Sequence, residues 1–137
     1  MIVQRVVELL KEQADIEEDV ADRIYPVEWP DAPTFPLIIV QRVSGSGETT
    51  FLGEAGIEQT RVQIDVYTDL GYADVASIAG KVRSLLHGFK GGPEPAPCVI
   101  DRSACINSTD LPVPATERAG PRLRRRMLEF LIWNREV

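Results

Sequence analysis

The feature of this sequence that most constrains its fold is a strict alternation of side chains over residues 60–67. One set of positions holds Thr60, Val62, Ile64 and Val66, and the other holds Arg61, Gln63, Asp65 and Tyr67. Because successive side chains of a β-strand point to opposite faces, the alternation predicts a strand over residues 57–68 with one apolar and one polar face. This pattern is typical of an antiparallel sheet that is covered on one side.

Apolar residues at helical spacing predict two helices, over residues 2–13 and 71–87. Asp69 is expected to provide an N-cap or first-turn acid for the second helix, and Gly88 is expected to end it. Further extended segments are predicted at residues 23–26, 37–43, 48–52, 98–107 and 123–133. Glycines are expected to interrupt the chain at residues 44–47 and 53–56, and loops are expected at residues 26–36, 91–97 and 107–121.

The last predicted strand places Leu128, Phe130 and Ile132 on one face, with Arg124 and Arg126 on the same face nearer its start. Helices and strands do not alternate as βαβ units, which favours an α+β fold. We expect a mostly antiparallel sheet of about four to five strands with two main helices packed on one face.

The length of 137 residues predicts a single domain over residues 1–137. A hydrophobic content of 44% and a charged content of 26% are ordinary globular values, which excludes a disordered, fibrous or coiled-coil chain. We expect no membrane span, because no apolar run is long enough, and no secretory signal is visible. The net charge of -6 argues against nonspecific binding to nucleic-acid phosphates.

The residues that most often carry chemistry do not converge in this sequence. Cys98 and Cys105 are seven residues apart in a predicted strand, so they are expected on opposite faces as unpaired, small buried residues. The cysteines and His87, which is the only histidine, have no metal-ligand spacing. Residues 45–48 lack the lysine of a phosphate-binding loop, and residues 17–22 lack the ligand spacing of a calcium loop. No catalytic residue, cofactor or metal is expected.

Charge is segregated along the chain. Residues 1–31 carry nine acids and three bases, a local net charge of -6, whereas residues 118–137 carry six arginines and two acids, a local net charge of +4. Ends of opposite sign suit head-to-tail association, in which one surface of a subunit meets a different surface of the next copy. The alternative is that the two ends pair within one subunit.

Several segments form a characteristic series along the chain. After the first helix come Arg23-Ile24-Tyr25-Pro26, a proline-rich turn and the extended residues 35–45. The strand Gln59–Tyr67 is followed at once by the helix Tyr72–Leu86, and the chain closes with Glu129-Phe130-Leu131-Ile132-Trp133-Asn134-Arg135-Glu136. Taken in order, these segments resemble the tail-completion (tail-terminator) proteins of long-tailed bacteriophages and prophages. The resemblance covers nearly the whole chain, and the loop at residues 107–121 carries no signature of it.

This resemblance implies a structural virion protein without an active site. It would assemble in the host bacterial cytoplasm, cap the tail tube as a ring, expected to be a hexamer, and help to join the tail to the head. Its partners would be copies of itself, the major tail tube protein and the head–tail connector proteins, with no sequence-specific nucleic acid and no membrane. An acidic lumen would let DNA slide through without adhering, because like charges repel.

Three other functions are kept as alternatives. A neck or head–tail connector protein of the same virion would share the α+β plan. A small enzyme or ligand-binding domain would have a deep pocket with convergent polar groups. A single-stranded nucleic-acid binder would use the basic cluster at residues 122–126 and would bind in a salt-sensitive way.

If a ring forms, the glycine-flanked segment at residues 44–58, the loop at residues 107–121 and the arginine cluster are expected to supply its contacts. The candidate interface residues are Gly45, Gly47, Glu48, Phe51, Gly53, Glu54, Arg122, Arg124 and Arg126.

Overall fold

In the computed structural model of this chain, residues 2–50, 53–91, 98–113 and 123–136 are described. Within these ranges the chain forms three helices and five strands. They are α1 (Ile2–Lys11), α2 (Ala14–Val20), β1 (Ile24–Pro26), β2 (Leu37–Thr50), β3 (Gly53–Thr68), α3 (Tyr72–Leu86), β4 (Cys98–Leu111) and β5 (Arg124–Glu136).

The strands form one sheet in the order β1-β2-β3-β5-β4. The edge strand β1 runs parallel to β2, and the other neighbouring pairs are antiparallel. The predicted α+β class and the predominance of antiparallel pairing are therefore confirmed.

The helices lie on one face of the sheet and enclose the main core. The alternation in β3 has the predicted result, because Val62, Ile64 and Val66 are completely buried. On the neighbouring strand β5, Leu128, Phe130 and Ile132 lie on the same face and are also buried. This confirms the predicted inward face of the last strand.

The opposite face of the sheet is partly covered by the proline-rich segment that connects β1 to β2. The Trp29 ring packs edge-on against Phe35, with centroids 5.4 Å apart, and against Tyr67, with centroids 4.9 Å apart. Leu37 and Ile39 on this face are 0% and 4% exposed. These ring contacts anchor the segment to the sheet.

The predicted interruptions at residues 44–47 and 53–56 are wrong. Strand β2 continues to Thr50, and β3 begins at Gly53. Gly45, Gly47 and Gly53 pair across the hairpin with Thr60, Glu58 and Thr50, and register shifts between Arg42 and Ser44 and between Gly47 and Thr49 interrupt the ladder. The glycines therefore lie within a long hairpin.

The β4 strand departs from its prediction in two ways. It continues to Leu111, so the predicted loop at 107–121 begins later, and its residues 114–121 lie outside the described part of the chain. A register shift between Ile100 and Arg102 reverses the alternation, so Cys98 and Cys105 lie on the same face of the sheet instead of opposite faces. Cys98 is buried, and Cys105 is half-buried against the core.

Two details at helix ends also differ from the sequence predictions. The short acidic helix α2 was not predicted, and it buries Ile16 and Val20 against the core. The N-cap of α3 is Gly71 and its first-turn acid is Asp74, so the prediction for Asp69 is wrong. Gly88 has a φ of 80° directly after the helix, which confirms its predicted role because glycine adopts this conformation without steric cost.

Candidate assembly surfaces

The hairpin of β2 and β3 extends beyond the rest of the sheet. Strand β5 pairs with β3 only from Thr68 back to Glu58, where Glu58 is opposite Asn134. We call residues 44–50 and 53–57 the arm: residues 44–47 form its base, beside the part of β3 that pairs with β5, and residues 48–50 and 53–57 lie beyond the last β3–β5 pair. Where the arm leaves β5, the described backbone pairs only strand to strand within the hairpin, as at Thr49–Glu54 and Thr50–Gly53. The outer edges of the arm therefore carry backbone N–H and C=O groups that a strand of a partner can bind. A two-stranded hairpin is only marginally stable alone in water, so such pairing would also stabilise the arm.

A polar network fixes the base of the arm to the body of the domain. The side-chain amide of Asn134, which is 4% exposed, donates to the Glu58 carbonyl oxygen at 3.3 Å and to Thr60 Oγ1 at 3.0 Å. The Thr60 hydroxyl donates to Glu58 Oε1 at 3.0 Å, and the Arg42 guanidinium donates to the same oxygen at 2.8 Å. These bonds orient the first residues of the arm relative to β5.

Gly45 lies directly beneath the ion pair between Arg42 and Glu58. A methyl group at this position would meet the Arg42 guanidinium and would lie 2.7 Å from Glu58 Oε1. The absence of a side chain therefore lets the ion pair close over the backbone. This gives the predicted interface residue Gly45 a structural role at the base of the arm.

The network was not predicted from the sequence. One feature of the sequence could have indicated this network: Asn134 continues the alternating series Leu128, Phe130 and Ile132, which places a polar side chain on the buried face of β5. A buried amide needs hydrogen-bond partners, and in this fold the partners come from the neighbouring strand.

Arg124, Arg125 and Arg126 at the start of β5 lie at the opposite end of the sheet from the arm, and each has a different environment. Arg124 is exposed, and among the described residues it has no ion-pair partner. Arg125 points to the other face and donates to Asp65 Oδ1 at 2.9 Å. Asp65 was predicted on the polar face, but it is only 2% exposed, in the region that the Trp29 segment covers.

Arg126 is held by residues of the same chain. Its guanidinium donates to Asp110 Oδ1 at 2.7 Å and to the Tyr72 hydroxyl at 2.8 Å. The Tyr72 hydroxyl in turn donates to Asp110 Oδ2 at 3.1 Å. The hydrogen bond from Arg126, with a smaller contribution from Tyr72, holds the pKa of Asp110 below its usual value.

The two charged ends of the sequence do not pair with each other within the described residues. The arginines Arg125, Arg126 and Arg135 bind Asp65, Asp110 and Asp101, none of which belongs to the acidic segment. In that segment Asp19 accepts a bond of 2.7 Å from Lys81 on α3, and Glu8 pairs with Arg5. Most acids of α2 and of the segment that follows it remain exposed.

A cleft of about 300 Å³ opens between the start of α3 and the ends of β4 and β5. Its walls include Val75, Leu111, Val113 and Leu123, and Arg124 lines it as well. The cleft thus lies next to the arginines at the start of β5.

The predicted interface residues fall into two groups. Gly45, Gly47, Glu48, Gly53 and Glu54 lie on the strands of the arm. Arg124 and Arg126 lie at the other end of the sheet, and Phe51 and Arg122 lie outside the described residues. The structure therefore does not bring the two groups together within one subunit.

The described residues contain no group of three or more side chains able to hold a metal ion. None of the helices in the described ranges is long and apolar enough to cross a membrane.

This α+β domain has a hairpin arm that extends past the sheet, and it exposes an acidic segment and Arg124 that do not pair with each other within the described residues. The chain belongs to the family described as tail completion protein gp17, whose profile matches residues 4–135. This family is one of structural virion proteins, and membership supports a structural role in phage tail assembly. No curated protein sequence matches the chain.

Among solved structures, the chain is similar to one described as the virion of a native gene transfer agent (GTA) particle. The match covers 98% of this chain and 94% of the other, with 17% sequence identity and a TM-score of 0.71. At this identity the likeness establishes the fold.

Proposed function

We propose that this protein completes the phage tail by closing the end of the tail tube as a ring of identical subunits, expected to be a hexamer. The ring then presents a surface to which the head–tail connector binds. The similar chain belongs to a virion particle, and the family is named for tail completion, which supports this assignment.

The observation that carries the proposal is the arm. Its backbone edges extend beyond β5, and the buried network around Asn134 fixes the direction in which it leaves the domain. A hairpin whose outer edges are unpaired among the described residues is suited to adding strands or contacts to a neighbouring subunit. We propose Gly45, Gly47, Glu48, Gly53 and Glu54 as its contact positions.

The distribution of charge supports a head-to-tail arrangement. The exposed acids of α2 lie on a helix that packs against α1 and α3, whereas Arg124 lies at the start of β5 and lines the cleft. These acids and Arg124 lie on different elements and do not pair with each other within the described residues. The acids of one copy can therefore face Arg124 of the next copy. Repetition of such a heterologous contact closes a ring when the rotation between subunits is right.

The test is native mass spectrometry of the wild-type protein and of a variant with a shortened arm. Replacing residues 48–57 by an Asn-Gly turn keeps Gly47 and Glu58, the last paired residues before the irregular part of the hairpin. We expect the wild type to form one closed species and the shortened variant to remain monomeric with an unchanged melting temperature, because the arm lies outside the core. A shortened variant that forms the same closed species would contradict the proposal.

A further inference from the structure

Val27 is an exposed apolar residue in an unfavourable backbone conformation. Its φ is 67°, and its side chain is 59% exposed. β-branched residues rarely adopt positive φ, because the branched side chain crowds the backbone. The conformation is held by the Val27 N–H, which donates to the Val40 carbonyl oxygen at 2.9 Å. The fold therefore holds Val27 at the β1 edge of the sheet with its side chain exposed to solvent.

Exposed side chains also follow Val27 in the sequence. Trp29 is 39% exposed, and its contacts with Phe35 and Tyr67 hold its ring in one orientation. Glu28 and Asp31 are exposed, and among the described side chains neither has an ion-pair partner. We call Val27, Glu28, Trp29 and Asp31 the β1 knob, an apolar projection with acidic flanks.

The cleft between α3, β4 and β5 has the complementary properties. Val75, Leu111 and Val113 give it apolar walls, and Arg124 adds a cation that no described residue pairs. Among the described residues of its lining, the carboxylate is that of Asp110, which is already paired with Arg126. We call this the β5 cleft.

We propose that the β1 knob of one subunit binds in the β5 cleft of the next copy of this chain, with Val27 between the apolar walls and Arg124 facing the acids. The inference rests on the proposed function and adds a second subunit contact to the one that the arm makes. Val27 lies at the β1 edge of the sheet and the cleft lies beside β4 and β5, so the contact is heterologous and leaves a free knob and a free cleft at the ends of any open assembly. A buried apolar anchor beside a charge pair is the kind of contact that dominates interface energies.

The test uses two variants that damage opposite sides of the contact. Val27→Asn removes the apolar group, and asparagine tolerates positive φ better than valine, so thermal stability should stay equal or rise. Arg124→Glu reverses the charge of the cleft. Each variant alone should weaken self-association at least about 30-fold in sedimentation velocity, the loss expected for an anchor residue. Arg83→Glu, at an exposed arginine on α3 away from the cleft, is the matched control and should associate like the wild type.

Mixing the two variants separates this inference from the proposed ring. The Val27→Asn chain keeps an intact cleft and the Arg124→Glu chain keeps an intact knob, so the mixture should form a heterodimer that grows no further. Rings that form normally from either variant would overturn the inference and leave the ring intact. A heterodimer in the mixture, together with a wild type that forms only open chains, would support the contact and contradict the ring. Absence of association in the wild type and in the mixture would overturn both.

Discussion

The ion pair between Asp65 and Arg125 gives a quantitative prediction for stability. The Asp65 side chain is 3% exposed, and that of Arg125 is 26% exposed. Asp65 also accepts a hydrogen bond of 2.8 Å from the Gln63 amide. In the variant Asp65→Asn only one acceptor oxygen remains, so either Arg125 or Gln63 faces an NH₂ group.

Removing one partner of a fully buried ion pair costs about 3–5 kcal/mol, because the other charge stays buried without compensation. Arg125 is partly solvated, which reduces this cost, and we expect Asp65→Asn to lower the free energy of unfolding by about 2–3 kcal/mol. For a domain of this size the loss corresponds to a melting temperature lower by roughly 8–12 °C. Urea titration and thermal melting followed by circular dichroism measure both quantities.

The matched control is Asp110→Asn, which removes the same charge from an ion pair whose aspartate is 48% exposed. We expect it to cost about 1 kcal/mol or less. In the double variant Asp65→Asn/Arg125→Met the unpaired cation is gone, so the two losses should not add. If Asp65→Asn costs no more than Asp110→Asn, burial does not determine the strength of the first pair, and the reasoning is refuted.

Three further predictions follow from individual sites. The Ser103 hydroxyl is buried without a hydrogen-bond partner among the described residues, so Ser103→Ala should leave the melting temperature unchanged or raise it; a clear decrease would show that the hydroxyl is satisfied. Because Arg126 lowers the pKa of folded Asp110, the pair stabilises the protein above about pH 4 and the stabilisation is lost as pH falls further, so Asp110→Asn should flatten the acid side of a stability–pH curve. Neutralising the exposed acids of residues 15–22 other than Asp19 should slow DNA release from particles if these acids line the channel; unchanged release and assembly would count against an acidic lumen.

The parts of the fold that follow from local pattern could be predicted from the sequence. The alternation around Val62 and Ile64 and the helical spacing of α1 and α3 each determine which side is buried, because each has one apolar face. The errors arise where pairing with a distant strand outweighs local preference. Glycines at 44–47 signal a turn locally, but the antiparallel ladder with β3 keeps them in a strand. The register shift after Ile100 likewise reverses the face of Cys105, and no local signal marks it.

The surfaces were predicted less completely than the fold. The order of charged residues along the sequence indicated that the two ends carry opposite charge. It could not identify the partners of Arg125 and Arg126, because these lie about 60 and 16 positions away in the sequence, on other strands. The burial of Asp65 depends on a segment that crosses the sheet from β1, which an alternation pattern does not reveal. The role of Asn134 follows from its inward position only once the register between β3 and β5 is known.

Electron microscopy of purified tails, made with and without this protein, tests the structural assignment most directly. We predict an added ring of density at the end of the tail tube that joins the head, with a fixed number of subunits per tail. Tails that end in the same way without the protein, or density of this chain only on the head side of the neck, would contradict a ring that completes the tube.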